Sequence, residues 1–257
     1  MPTDGFASRL RAGEPLLGAW SSIGHPVVAE VLAGTGLDFV VADGEHSENT
    51  IGDLAAAIRA VDAANTDTVP LVRASGGDRA EIRRLLDLGP QGIVIPQIES
   101  AAEARAAVEA TQYPPEGVRG VAGGRASGYG SALEDYVETA NREVATILQV
   151  ETGGAIDEIE SIAAIDGLDA LFIGPADLSA RLGAFGSFDD PTVREAIDAA
   201  VAAAQAADVP IGTLATTPEN VGTRFDDWDM DFLVLGTDVG YLREGLARFQ
   251  ANAPPSE

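Results

Sequence analysis

Apolar and polar residues occur in alternating blocks along the chain. Short apolar runs rich in valine, isoleucine and leucine are followed by longer segments in which alanine and leucine recur at helical spacing. The short runs predict buried strands, and the longer segments predict amphipathic helices. The eight predicted strands are LLGAWSS, DFVVAD, VPLVRAS, GIVIPQIE, EVATILQVE, DALFIGPAD, PIGTLA and FLVLGTD.

Strands that alternate with helices favour an α/β fold with a parallel sheet, and eight strands are the number that closes a (β/α)8 TIM barrel. A doubly wound open sheet is the alternative. The first strand is followed by SSIGHP, which lacks the G-x-G-x-x-G fingerprint typical of that fold. No linker-like stretch divides the chain, so residues 1–257 are predicted to form one barrel domain.

Three segments fall outside this alternation. The connection 113–141 is too long for a plain loop, and its length is typical of a lid, a binding loop or a subunit contact. The final segment 251–257, ANAPPSE, is predicted to be a frayed tail. The acidic run RFDDWDMD, 224–231, lacks the glycine and ligand spacing of a calcium loop and is interpreted as solvated surface.

The charge of the chain is strongly negative, at −25, and all 16 basic residues are arginine. Such a charge repels nucleic acids and anionic membranes, so neither is an expected partner. Acidity without lysine favours a halophilic protein in a salt-rich cytoplasm, where screening reduces self-repulsion. An ordinary acidic bacterial protein is the alternative. The sequence contains neither a signal-peptide core nor an apolar run long enough to span a bilayer, so a cytoplasmic location is predicted.

The amino acids that are missing restrict the chemistry. Without lysine, the chain cannot form a Schiff base with its substrate or anchor pyridoxal phosphate. Without cysteine, it has no thiol nucleophile, disulfide or thiolate metal site.

One aromatic and several polar side chains gather where the predicted strands end, which is the catalytic face of a barrel of this type. They are Trp20, Asp43, Glu45, His46, Arg73, Gln97, Glu99, Gln149, Glu151 and Asp177. The other histidine, His25, precedes a proline at a predicted helix start and is expected to be a loop or cap residue.

Glu151 and Asp177 follow adjacent predicted strands, and Gln149 lies on the same strand face as Glu151. Carboxylate and amide oxygens are ligands suited to Mg²⁺, Mn²⁺ or Co²⁺. The alternative is that each acid caps the helix after it. Arg73 ends an apolar strand, where its guanidinium needs an anionic partner such as a substrate carboxylate or enolate. A structural salt bridge is the alternative for Arg73.

Six motifs give the chain a resemblance to a known family. DGEH, VR at the end of strand three, LLDLG, YPPEGVRG, QVE and GPADLS occur in this order. Over nearly its whole length the chain resembles the class II, metal-dependent pyruvate aldolases of the HpcH/HpaI family. The resemblance implies a (β/α)8 barrel that cleaves 4-hydroxy-2-oxoacids, or 2-dehydro-3-deoxy sugar acids, into pyruvate and an aldehyde.

The resemblance also implies roles for individual residues. Glu151 and Asp177 would bind the divalent metal ion, Gln149 would contact substrate, and the backbone of Ala176 and Asp177 would bind the pyruvate carboxylate. Arg73 would hold the keto and enolate oxygen, His46 would be the general base, and Asp43 belongs to the same catalytic group. Asp87, in LLDLG, would raise the basicity of the histidine. Trp20, Leu214, the long connection and any neighbouring subunit are expected to select the aldehyde.

The position of Asp87 predicts an oligomer. It lies near the end of the helix after strand three, at the face of the barrel opposite His46. If Asp87 acts on His46, it must come from a neighbouring chain, in a homo-oligomer such as a hexamer or trimer of dimers with active sites near subunit interfaces. The alternative is that Asp87 is a helix-end residue with no catalytic role.

Three other functions are alternatives to the aldolase. They are a citramalyl- or malyl-CoA lyase, an oxaloacetate decarboxylase, and a non-catalytic oxoacid-binding protein.

Overall fold

A computed structural model describes residues 5–253, which form a closed barrel of eight parallel strands. Neighbouring strands follow chain order, and the last strand pairs with the first. The strands are β1 Leu17–Ser21, β2 Phe39–Asp43, β3 Val69–Arg73, β4 Gly92–Ile95, β5 Ala145–Val150, β6 Ala170–Ile173, β7 Ile211–Leu214 and β8 Phe232–Thr237. All eight predicted strands and the TIM barrel are confirmed, and the open-sheet alternative is wrong.

Helices surround this barrel, and α1 precedes the first strand. They are α1 Phe6–Arg11, α2 Pro26–Ala33, α3 Ile51–Ala63, α4 Arg79–Leu86, α5 Ala101–Thr111, α6 Leu133–Glu143, α7 Gly153–Asp157, α8 Ile159–Ala163, α9 Pro175–Arg181, α10 Pro191–Ala206, α11 Pro218–Asp226 and α12 Asp238–Gln250. Within residues 5–253, no helix is both long and apolar enough to cross a membrane.

The two-residue period of each strand separates two apolar layers. In β2, Val40 and Ala42 pack in the layer between strands and helices, while Phe39 and Val41 fill the barrel interior. The inward row continues into Asp43 at the carboxyl end. By the same alternation, polar residues at the ends of the inward rows of other strands face the opening of the barrel at the carboxyl ends of the strands. The strands therefore position a polar site next to the apolar barrel interior.

The long connection differs from its prediction. Helix α6 begins at Leu133, so 133–141 are helical, and a short 3-10 turn spans 125–127. The tyrosines at 113 and 136 pack edge to face, 6.2 Å apart, with the Arg119 guanidinium over both rings. The segment joins a helix to the amino end of β5, and no residue of 113–141 lines the cavity at the carboxyl ends of the strands. The segment therefore does not line the chain's own cavity, and its role stays a prediction.

Two other expectations concern the end of the chain. The acidic run 224–231 is not simply solvated surface, because Arg224, Trp228 and Met230 are buried. These side chains pack inward while the acidic residues between them are mostly exposed, which total charge alone does not reveal. Of the predicted tail, 251–253 form a turn and a bend, and 254–257 lie outside the described residues.

Candidate active site

A cavity of about 270 Å³ opens at the carboxyl ends of the strands. Most residues selected from the sequence line it: Trp20, Asp43, His46, Arg73, Gln149, Ala176, Asp177 and Leu214. Glu151 lies directly behind this lining and contacts Gln149. Asp87 is not part of the lining.

One wall of the cavity is built on an arginine held by two carboxylates. Asp43 and Arg73 are paired in register at the ends of β2 and β3. The Arg73 Nε donates to Asp43 at 2.8 Å, Nη2 lies 2.7 Å from the same oxygen, and Nη1 lies 2.6 Å from Glu45. The guanidinium also stacks over Trp20, 4.6 Å from the ring centroid. The structural salt bridge that was the alternative for Arg73 is therefore present, and the Arg73 side chain also lines the cavity.

The two acids differ in environment. Burial raises the pKa of Glu45, although the charge of Arg73 opposes the rise. The Asp43 carboxylate also accepts from the backbone N–H of Glu45, and the Asp43 carbonyl accepts from the side chains of Ser47 and Asn49. These hydrogen bonds fix the turn that carries His46.

His46 lies at the mouth of the cavity with its side chain 64% exposed. Its Nε2 is 3.6 Å from a Glu45 oxygen, close enough for an ion pair when the ring is protonated. The other histidine, His25, caps α2 by accepting a hydrogen bond from the backbone N–H of Val27 at 3.3 Å. The prediction that His25 is a cap residue is confirmed, which leaves His46 as the histidine at the cavity.

The second polar group comes from β5 and α9. Glu151 is fully buried, with 0% exposure, and accepts from the backbone N–H of Gln97 at 2.8 Å and from the side-chain amide of Gln149. Burial raises the pKa of Glu151, and the negative charges of Glu45 and Asp177 raise it further. Glu151 is not a helix cap, since Thr152 caps α7, and that alternative is wrong for Glu151. Asp177 is not the N-cap of α9, because Gly174 occupies that position, but it lies in the first turn of α9, where an acidic side chain stabilises a helix.

These residues fit a hard divalent cation. The side-chain amide oxygen of Gln149, Oε1, is buried and has no hydrogen-bond partner within residues 5–253. Gly174 keeps the space beside the group open, because a Cβ there would lie 2.6 Å from Glu151 and 2.8 Å from Gln149. A cation would also offset the clustered negative charge. In the described part of the chain, no three acidic or histidine side chains converge as a metal-binding group.

Gln97 connects the two polar groups, and its role was not assigned from the sequence. Its backbone adopts a left-handed conformation with φ of 58°, which is uncommon for a residue other than glycine. In that conformation its N–H binds Glu151, while its side chain donates to Glu45 at 3.3 Å and accepts from Arg181 at 2.7 Å. Glutamine at a strand end is visible in the sequence, but this strained geometry is not.

Asp87 lies where the sequence predicts, directly after the last residue of α4. Its carboxylate is 3.4 Å from the Arg119 guanidinium, and its carbonyl accepts from the N–H of Ala126 in the long connection. Within residues 5–253 it makes no hydrogen bond or ion pair with His46.

Several cavity residues were not selected from the sequence. Phe172 and Thr237 belong to strands β6 and β8, and the others lie on helices or connections: Ser22, Gly174, Pro175, Phe188, Thr216 and Arg224. Gly174 and Pro175 belong to the GPADLS motif, so that motif could have indicated them. Phe188 and Arg224 come from segments that sequence spacing does not place near the barrel opening.

Comparison with known proteins places these features in context. The HpcH/HpaI aldolase/citrate lyase family matches residues 16–244. The hydroxypyruvate/pyruvate aldolase of Delftia acidovorans is 41% identical, with 98% of this chain and 94% of the relative covered. The 4-hydroxy-2-oxo-heptane-1,7-dioate aldolase of Salmonella dublin is 38% identical, with coverages of 96% and 94%.

A solved structure shows the same architecture. The HpcH/HpaI aldolase/citrate lyase family protein of Burkholderia cenocepacia J2315 superimposes with a TM-score of 0.91. The two sequences are 37% identical, and the match covers 97% of this chain and 98% of the other. Likeness therefore extends across the barrel and is not limited to the motifs around the cavity.

Proposed function

Because the chain belongs to the HpcH/HpaI aldolase/citrate lyase family, we propose that its cavity performs metal-dependent, reversible cleavage of 4-hydroxy-2-oxoacids or 2-dehydro-3-deoxy sugar acids. The enzyme is an aldolase that yields pyruvate and an aldehyde. One observation carries the assignment of the site: an imidazole, a buried arginine and a carboxylate pair line or adjoin the same cavity.

Cleavage requires a base and an electron sink. The proton of the 4-hydroxyl leaves, the C3–C4 bond breaks, and its electron pair remains on the three-carbon half as an enolate. The carbon that carried the hydroxyl becomes the aldehyde, and a proton then returns to C3 to give pyruvate. His46 takes the hydroxyl proton, because imidazole exchanges protons near neutral pH and this ring lies at the cavity.

Arg73 stabilises the developing enolate oxygen. A guanidinium has five N–H donors; the Nε of Arg73 donates to Asp43, and its two terminal nitrogens lie at ion-pair distance from Asp43 and Glu45. N–H groups of the terminal nitrogens remain for substrate, and the carboxylates and Trp20 hold the guanidinium in position. Such pre-positioned donors are the main source of stabilisation for oxyanions in enzyme sites.

Glu151, Asp177 and the side-chain amide oxygen of Gln149 would hold the metal ion, with Mg²⁺, Mn²⁺ and Co²⁺ as the candidates. When bound, the divalent cation supplies the electron sink that lysine provides in Schiff-base aldolases. The pyruvate carboxylate binds the backbone N–H groups of Ala176 and Asp177. These groups lie in the first turn of α9, where no intrahelical carbonyl can accept from them.

Assembly into an oligomer would explain the exposed apolar side chains of α12. Only Asp238 of the thirteen residues of α12 is buried, while Leu242, Leu246 and Phe249 are exposed. A contiguous apolar face on a helix is typical of a subunit interface. We place the active sites near such interfaces, with Asp87 of a neighbouring chain beside His46, in a hexamer or trimer of dimers. The lysine-free, acidic composition supports a salt-rich cytoplasm as the working compartment.

The assignment is tested by pyruvate release from racemic 4-hydroxy-2-oxoacids in molar KCl, with and without EDTA. We expect release that stops with EDTA and resumes when Mg²⁺, Mn²⁺ or Co²⁺ is added in excess. Citramalyl- and malyl-CoA should be inert, because a chain with 41 acidic and 16 basic residues offers little to bind a CoA pyrophosphate. Turnover of a CoA ester without cleavage of any oxoacid would support the lyase alternative instead, and tight oxoacid binding without turnover would indicate a binding protein.

A further inference from the structure

Arg224, on α11, is a second buried arginine at the cavity. Only 4% of the residue is exposed, although it opens the acidic run 224–231. The guanidinium carbon lies 3.3 Å from the ring centroid of Trp228 and 5.3 Å from that of Phe188. Both Arg224 and Phe188 line the cavity that contains His46 and Arg73.

The charge of Arg224 is unpaired within residues 5–253. There its side chain forms no ion pair and no hydrogen bond, and its Nε is buried without an acceptor. Burial, followed by the nearby positive charge of Arg194, lowers the pKa of Arg224 to about 10, with the carboxylate of Asp189 opposing the change. A buried cation without a counter-ion is costly, and stacking on aromatic rings compensates for only part of that cost.

The position of this arginine relates it to one half of the substrate. The Asp43–Arg73 pair ends β2 and β3, whereas Phe188 follows β6 and Arg224 follows β7. Strands four places apart in a closed barrel of eight lie across the barrel from each other. Thr216 and Leu214 lie on the same side as Arg224 and line the same cavity.

We propose that Arg224 binds a terminal oxyanion, a carboxylate or a phosphate, on the aldehyde half of the substrate. This assignment rests on the proposed aldolase function and makes Arg224 a specificity-determining residue. The planar guanidinium, stacked on Trp228, would present its remaining N–H groups to two oxygens of the anion, as arginine does in bidentate pairs. The named relatives differ in their substrates, so family membership alone leaves the aldehyde open.

The test measures kcat/KM for aldol addition of pyruvate to paired acceptors by the Mg²⁺-loaded enzyme. Succinic semialdehyde is paired with its neutral methyl ester, and glyceraldehyde 3-phosphate with glyceraldehyde; the two pairs distinguish carboxylate from phosphate. We expect at least one anionic acceptor to be preferred about 10- to 100-fold, the value of charge-assisted hydrogen bonds in a buried site. Arg224→Met should abolish that preference and change the rate with the neutral partner less than threefold or so.

Arg194→Met is the matched control. Arg194 is a neighbouring arginine whose guanidinium lies 5.6 Å from the same Trp228 ring, but it does not line the cavity. Its removal should leave the acceptor preference intact. The proposal is overturned if neither anion is preferred, if Arg224→Met slows both members of a pair equally, or if Arg194→Met removes the preference as well.

Two further measurements separate this inference from the aldolase assignment. Exchange of the pyruvate methyl protons with deuterium requires only the enolate-forming half of the site. If exchange occurs without an acceptor preference, the subsite proposal fails and the proposed function stands. If exchange is absent, the proposed function fails, and the subsite is judged by binding instead. In a Trp20→Phe background, butyrate or propyl phosphate should change the fluorescence of Trp228 saturably, whereas butyramide should not. Arg224→Met should abolish the response. A response equal for all three ligands would overturn the subsite.

Discussion

Two buried arginines line one cavity, and they are held in different ways. Arg73 is bound by Asp43 and Glu45 and stacks on Trp20. Arg224 stacks on Trp228 and has no acidic partner in the described part of the chain. The side of the cavity formed by Asp43, Arg73 and Trp20, the Arg73 wall, carries its own counter-ions. The opposite side, formed by Arg224, Trp228 and Phe188, is the Arg224 wall, and within residues 5–253 its arginine forms no ion pair.

The difference indicates which arginine is fixed by the fold and which awaits a ligand. The carboxylates around Arg73 offset its charge and orient its guanidinium, so that under the proposed function its spare donors would meet the enolate oxygen in a set direction. The Arg224 charge is buried and only partly compensated by the aromatic rings, and an anionic ligand would supply the missing ion pair. Substitutions at the two walls should therefore affect different kinetic steps.

The largest effect is expected from loss of the proposed metal site at Glu151. Glu151→Gln should reduce kcat/KM to background, because the neutral amide cannot replace a buried carboxylate ligand beside Asp177. Glu160→Gln, at an exposed position on α8, is the control and should behave like the natural protein. The measurement is pyruvate release together with Mn²⁺ binding; full turnover by Glu151→Gln with no bound metal would contradict the class II assignment.

His46→Ala should lower kcat by about two to four orders of magnitude, the range for a positioned acid–base group. Its metal affinity should be unchanged, since histidine is not a proposed ligand. His25→Ala removes the other histidine and should cost only the stability of one helix cap, about 0.5–2 kcal/mol, measured by denaturant unfolding. If His46→Ala lost its metal yet recovered full activity at saturating metal, the role of this residue would have been misassigned.

The paired substitutions Arg73→Lys and Arg224→Lys compare the two walls directly. Arg73→Lys should lower kcat about 10²- to 10³-fold, because an ammonium cannot bind two carboxylates and still present the planar fork to an oxyanion. Arg224→Lys should mainly raise KM for an anionic acceptor and leave deuterium exchange into pyruvate unchanged. Equal losses of exchange in both variants would show that the two walls do not act separately.

The smallest signal is expected from subunit mixing, which tests whether a neighbouring chain completes the Arg73 wall. His46→Ala and Asp87→Ala subunits are inactive or impaired alone, but random exchange in dimeric units would restore roughly a quarter of the natural activity if each site takes one residue from each chain. Native mass spectrometry of the mixed oligomers confirms that exchange has occurred. No recovery after proven exchange would make Asp87 a local partner of Arg119 only.

The Arg73 wall was predictable from sequence and the Arg224 wall was not, for a physical reason. Strand alternation places Asp43 and Gln149 in the inward rows, so knowing the strands is nearly enough to assemble that side of the site. Arg224 reaches the cavity through packing of a helix and a connection, and its acidic neighbours suggest a solvated surface. The left-handed backbone of Gln97 is likewise a tertiary feature. The sequence also does not reveal where helix α6 begins, because the glycine-rich residues before it dominate the pattern of the long connection.

The most direct measurement is a crystal structure of the protein soaked with pyruvate and Mg²⁺. The account predicts a metal ion bound by Glu151 and Asp177, pyruvate with its carboxylate on the N–H groups of Ala176 and Asp177, and its keto oxygen within hydrogen-bonding distance of Arg73. Pyruvate bound away from this cavity, or bound there with Mg²⁺ held by other residues, would contradict it.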